Sequence, residues 1–260
     1  VRLAANLAID KQALSNAMGL GLDRPTGSII PHAFEFALPL EPFPYDPAQA
    51  KRLLAEAGYP QGFDAGDLTP FPPIRHVAEA VSSYLGAVGI RTRLRTPELA
   101  AFFAAWRKKE LTGLILADSA MLGNAASRFE IYVLGTGIYA YGSYPDLDAL
   151  FQQQAVERDR PTREGLLHRM QTLMHERVMH APLLERMALY GVGPRGAEPA
   201  VGLIPLYPLA APYYEWSPVD TLTAIPAEPS NPVITGSSVL AFRKHRCENT
   251  PSLARFHVLV

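Results

Sequence analysis

Asp118 is the side chain best placed to do chemistry in this chain. It closes the apolar run LILA at 114–117, within a stretch over 111–117 that reads as a buried strand. Strand ends of α/β sheets commonly border ligand crevices. A carboxylate there pairs with an ammonium group when geometry and hydrogen bonds offset its desolvation. The same residue also suits a cap for the loop that follows, and both readings stay open. Tyr139 and Tyr141 follow in IYAYGSY. Alternation puts them on one face of a short strand, either as an aromatic wall with hydroxyls for orientation or as closure of the core. Arg128 and Glu130 alternate in the same way and read as a rim ion pair.

Other reactive side chains form no recognisable constellation. The histidines are His32, His76, His168, His175, His180, His245 and His257, and surface positions are expected for them. His168 and His175 share a helix face but are not an adjacent ligand pair, and HERVMH lacks the HExxH spacing of a zinc site. Ser119, Ser127 and Ser143 lack the context of a nucleophile elbow. Cys247 is the single cysteine, so neither an internal disulfide nor a multi-cysteine metal site is expected. No catalytic residue, metal site or cofactor is assigned, and an enzyme is not the expected class.

Composition narrows the class further. With 48% hydrophobic and 19% charged residues, a packed core is expected rather than general disorder. The 24 prolines and 19 glycines imply interrupted segments and long loops. A formal charge of −1 argues against a chain-wide footprint for nucleic acid. Residues 1–20 lack a signal-peptide pattern, and no later run has the length and apolarity of a membrane helix.

The elements that position Asp118 are legible from capping signals and apolar period. Residues 2–18 read as helix, broken or re-capped at Asp10. The passage 24–44 holds five prolines and no sustained period, which predicts an ordered loop packed over the surface. Tyr45 to Phe63 follows as a capped amphipathic helix. Asp46 suits the N-cap, Pro47 the first helical position and Gln49 the third, while Ala50, Leu53, Leu54 and Ala57 share a face. Gly58 and Pro60 end it. A strand edge and turn over 64–73 precede a helix over 74–88, and Gly89 stops that helix. IRTRLRT then alternates strictly, with Ile90, Thr92 and Leu94 inward and Arg91, Arg93 and Arg95 solvated. The next helix carries Leu99, Phe102, Phe103 and Trp106 on its apolar side. The stretch 118–144 is the least regular. Helices resume over 145–156 and from Pro161 to Val178, the second with a methionine-rich core side, before 182–192 returns to the sheet. The alternation of helix and strand predicts an α/β lobe with a mixed central sheet flanked by helices. Neither GxGxxG nor a Walker sequence accompanies it.

Two of these stretches carry a resemblance. PYDPAQAKRLLAEAGYPQGF, with VRLAANLAIDKQAL upstream in the right order, resembles the extracytoplasmic solute-binding proteins of the dipeptide, oligopeptide and nickel ABC importers. The resemblance runs through Val192 and fades from Gly193. Members are two-lobed and hold a solute between lobes for delivery to an ATP-driven permease. The resemblance implies that residues 1–192 form the C-terminal lobe of such a protein. Residues 193–260 would then be a crossover or divergent C-terminal region, with an N-terminal lobe missing. It further implies a periplasmic or extracytoplasmic location, with membrane anchoring through upstream sequence left open. The partners implied are a permease complex and a small or peptide ligand.

In some peptide-binding relatives a tryptophan-containing strand precedes an aspartate that receives the peptide's amino terminus. Asp118 in LILADSA matches that aspartate, while Ile115 or Leu116 stands where the tryptophan would be. The surface that meets the absent lobe is expected around 38–43 or 206–216. A sensor lobe of a regulatory protein with the same fold is the alternative function, and a hydrolase a remote one.

Overall fold

A computed structural model describes residues 1–119 and 123–187, together with the backbone of a strand at 234–241. The expectations for Cys247, His245, His257 and the 206–216 surface lie outside the described residues. Asp10 separates α1 (Arg2–Leu7) from α2 (Lys11–Met18), its Oδ1 accepting the N–H of Ala13 at 2.9 Å. Lys11 beside it is buried, and its Nζ donates to the carbonyls of Asn6 and Phe43 at 3.0 and 3.1 Å. Burial pulls its pKa down to about 8. After the two-residue strand β1 (Arg24–Pro25), the proline-rich passage packs down as expected, with Ile29, Ile30, Phe34 and Phe36 buried. Helix α3 (Pro47–Glu56) follows the predicted capping logic: Asp46 Oδ1 accepts from Gln49 N at 2.8 Å, and Ala50 and Leu54 are buried. Gly58 takes φ +89°, a left-handed angle that favours glycine just past the helix end.

Six strands form one mixed sheet in the order β1-β5-β6-β4-β2-β3. Its parallel half is β3 (Ile90–Leu94), β2 (Phe63–Pro70) and β4 (Leu114–Asp118). Its antiparallel half is β6 (Ile234–Ala241), β5 (His180–Met187) and β1. Strand β2 is a full internal strand, longer than the expected strand edge; Asp64, Gly66 and Asp67 break its alternation, and its register with β3 shifts between Asp64 and Asp67. The edge is β3, where Ile90 is buried but Leu94, expected inward, is 38% exposed, β3 being the last strand in the described order. Arg93 and Arg95 fold back onto Asp67 at 3.4 and 3.2 Å. Strand β4 begins at Leu114, later than expected, because Gly113 turns at φ +78° against the backbone of Asp67.

Two cores lie on the two faces of this sheet. Alternate residues of β4 divide between them: Leu114 and Leu116 join the core under α1, α3 and α4 (Arg75–Ala87), with Leu54, Val81 and Leu85. Ile115 and Ala117 join the other, with Phe102 and Trp106 of α5 (Leu99–Arg107). Leu99, expected on the apolar side, is 46% exposed at the first turn of α5. The second core also takes Leu147 of α7 (Pro145–Val156) and Leu167, Met170 and Met174 of α8 (Arg160–Glu176). Within the irregular stretch lies a helix that sequence reading passed over, α6 (Ala125–Tyr132), closed by reciprocal bonds between Asn124 and Ser127.

Candidate ligand site at the end of the fourth strand

Asp118 ends β4, paired with Ser238 of β6 and lying beyond Leu116, the last residue of the strand with a partner in β2. Its carboxylate is 28% exposed and faces Arg186 of β5, Oδ2 to Nη1 at 3.5 Å. The two strands are not adjacent: Ser238 of β6 is the register partner of both Asp118 and Leu184, and the ion pair spans that strand. At this exposure such a pair contributes roughly 0–1 kcal/mol.

Behind Asp118 the chain turns inward. Ser119 is buried, and its Oγ donates to the carbonyl of Ile29 at 3.0 Å, tying the end of β4 to the proline-rich passage. Its own carbonyl accepts from Arg128 Nη1. Arg128 is therefore not the rim residue that alternation predicts. Residues 128 and 130 lie on a helix, where a two-residue step points side chains to opposite faces, so Glu130 is exposed and Arg128 is 1% exposed. Its guanidinium lies 5.0 Å from the Phe34 ring centroid and 6.0 Å from that of Tyr132. Burial lowers the Arg128 pKa, while Tyr132 beside it works the other way. The Tyr132 hydroxyl is pushed up to about 12, mainly by burial, with Tyr139 and Asp118 acting in the same direction and Arg128 against it.

Tyr139 and Tyr141 do not share a strand face. Residues 138–139 form a turn, with Tyr139 N–H donating to Ile131 O at 3.0 Å, and Tyr141 follows without regular structure. The Tyr139 ring stacks on Trp106 at 4.1 Å and 26°, and on Tyr132 at 5.7 Å and 28°. Tyr141 is half-buried with Lys109 Nζ 5.5 Å from its ring centroid. Both rings border the second core. Ser119, Arg128, Tyr132 and Arg186 thus join Asp118 without having been singled out as site residues. The readable signal was Asn124-x-x-Ser127, a helix start that would have turned Arg128 inward.

The histidines divide. His76 is exposed as expected, but His180 is buried, and burial together with the charge of Arg2 lowers its pKa to about 3. His175 stacks on Phe43 with centroids 4.4 Å apart. His32 engages buried Glu185 twice, through its ring Nδ1 and through its backbone N–H at 3.1 Å. Among the described residues no group of three His, Cys, Asp or Glu side chains could hold a metal ion, and no helix is long and apolar enough to cross a membrane.

The fold is shared with solved proteins. The fold is similar to that of the periplasmic binding protein DppA from Helicobacter pylori in complex with the peptide STSA, at TM-score 0.60 and 21% identity, covering 70% of this chain and 37% of that one. It is also similar to HbpA2 from Haemophilus parasuis, at TM-score 0.57 and 25% identity, covering 67% of this chain and 37% of that one. Among sequences, Heme-binding protein A of Haemophilus influenzae is 27% identical over 75% of this chain and 38% of its own length. Glutathione-binding protein GsiB of Salmonella paratyphi A is 30% identical over 61% of this chain and 32% of its own length. The chain spans under two fifths of the length of these relatives. Residues 1–140 match the bacterial extracellular solute-binding proteins, family 5 Middle, and the chain belongs to that family.

Proposed function

We propose that residues 1–192 act as the C-terminal lobe of a two-lobed extracytoplasmic protein that captures a short peptide, or another amine-bearing small solute, for ABC-type import. The observation that carries this reading is the family match over residues 1–140, joined to a partly exposed carboxylate at the end of an internal strand. Relatives named for glutathione and for a bound peptide bind solutes with a free amine, which supports the amine-bearing class. Capture is reversible and changes no covalent bond. The solute enters between the lobes, the closed form gains population, and that form docks on the permease.

In this reading Asp118 pairs with the solute ammonium and releases or shares Arg186. Tyr139 and Tyr141 border the site and shape its apolar side. Asp118→Asn in the complete two-lobed protein keeps shape and removes charge. Calorimetry with trialanine is expected to show affinity weakened by about 1.5–3 kcal/mol, with circular dichroism unchanged. Equal affinity in the two proteins would remove Asp118 from the site.

A further inference from the structure

Met174, His175 and His180 line one cavity that solute capture at Asp118 does not use. Its volume is about 10 Å³, room for a single occupant of the size of a water molecule or a metal ion. Met174 and His175 sit in the last turn of α8, and His180 opens β5. The turn between them is tight: Val178 N–H donates to His175 O at 2.9 Å, and Met179 N–H to Met174 O at 3.1 Å. Val178 takes φ +48°, a left-handed angle that is costly for a β-branched residue. The backbone thus holds strain at the point where it brings His180 back to the helix end.

The ring nitrogens supply donors. A carbonyl can only accept, so His175 Nδ1, 3.1 Å from Gly27 O, carries the hydrogen and Nε2 keeps its lone pair. Metal-bound histidines are commonly fixed in this way, by a backbone carbonyl on the ring nitrogen turned away from the metal. Stacking on Phe43, with the ring planes 11° apart, holds the imidazole further. His180 is buried and its Nδ1 meets no partner, an uncommon state for a buried polar atom. Gln171 on the same wall is already satisfied: its amide donates to Phe36 O and Leu167 O, and its Oε1 accepts from Leu38 N.

The donor set selects the cation. Two imidazoles and a thioether are neutral ligands, and the described residues that line the cavity include no carboxylate. A divalent ion would stay uncompensated there, and calcium or magnesium would lack oxygen ligands. Thioether sulfur favours monovalent copper, imidazole also suits copper, and a single charge is the least costly to bury. We propose that Met174, His175 and His180 form a binding site for Cu(I) that clips the end of α8 to the start of β5. Ala241 of β6 is the register partner of both His180 and Ile115, so the site lies level with the start of β4 and not with Asp118.

The test uses the complete two-lobed protein carrying Cys247→Ser, since a thiol binds the same soft metals by itself. Calorimetric titration with Ag(I), a redox-inert stand-in of similar softness, is expected to give a single tight site and to raise the melting temperature. Cu(I), kept anaerobic and in competition with bathocuproine disulfonate, is expected to show the same stoichiometry. X-ray absorption at the copper edge is expected to find one sulfur and two nitrogens around the metal. Met174→Leu keeps the volume and removes the sulfur, and His175→Phe keeps a ring on Phe43 and removes the nitrogens. Each is expected to weaken Ag(I) binding by about tenfold or more, since changes even outside the direct ligands have effects of that size. Equal affinity in the parent and both variants would place the metal elsewhere and overturn the proposal. So would the absence of Ag(I) and Cu(I) binding, a copper shell without sulfur, or tighter binding of Zn(II) or Ni(II) than of Ag(I). Circular dichroism confirms that each variant is folded; should His175→Phe not fold, Met174→Leu decides alone. None of these readouts involves the solute, so the outcome at Asp118 does not bear on them.

Discussion

His180 gives the residue scale its clearest pH signature. Its ring is buried with Nδ1 unpartnered, and its pKa falls from the ordinary 6.5 to about 3. The native state therefore resists a proton that the unfolded chain accepts. Its contribution is whole above pH 6.5 and drains away as pH falls towards 3, at up to about 1.4 kcal/mol per pH unit for one proton. Urea midpoints are expected to drop from pH 7 to pH 5 in wild type and to drop less in His180→Leu. Parallel slopes would mean that other groups carry the effect. At this scale the strand-end position of Asp118 was legible, because an apolar run ending in a carboxylate needs no tertiary information. It hid Arg128, because period two and a two-turn helix both fit so short a stretch, and only the Asn124–Ser127 cap separates them.

The helices follow their caps closely. Asp10, Asp46 and Asp159 each accept a backbone N–H three residues on, at 2.9, 2.8 and 3.0 Å. Asp46→Ala is expected to cost about 1 kcal/mol, read as a lower urea midpoint with an unchanged slope. The strands were less legible. In β2, Asp64, Gly66 and Asp67 interrupt the alternation that marks a strand, and pairing on both edges supplies what local pattern lacks. Strand β6 lies in 224–260, where neither resemblance nor period marks it, yet it sits between β4 and β5. Its place depends on partners far away in sequence, which local reading does not reach.

Across the whole molecule, the two-lobed reading makes two expectations. Peptide affinity of residues 1–260 alone should fall well below that of the complete protein, since a small ligand gains much of its buried area from enclosure. Equal affinities by calorimetry would contradict a cleft between lobes. Hydrogen exchange should also run faster at 38–43 than at 114–117. The first segment is held by isolated bonds, such as Leu38 N–H to Gln171 Oε1 at 2.8 Å, while β4 is paired on both sides. Uniform protection would mean that 38–43 is sealed in the isolated chain.

The position of β6 also bears on how this chain assembles its sheet. The parallel half is complete once residue 118 has been made, and β1 can meet β5 once residue 187 has followed, but the halves are joined only through residues 234–241. Until that strand pairs, the facing edges of β4 and β5 lack this partner, and late, long-range pairing of this kind is slow and exposes unpaired edges to other chains. The Asp118–Arg186 pair spans β6, so its geometry depends on residues 234–241 joining the two halves, and a chain lacking that strand would carry both side chains without the sheet that brings them together.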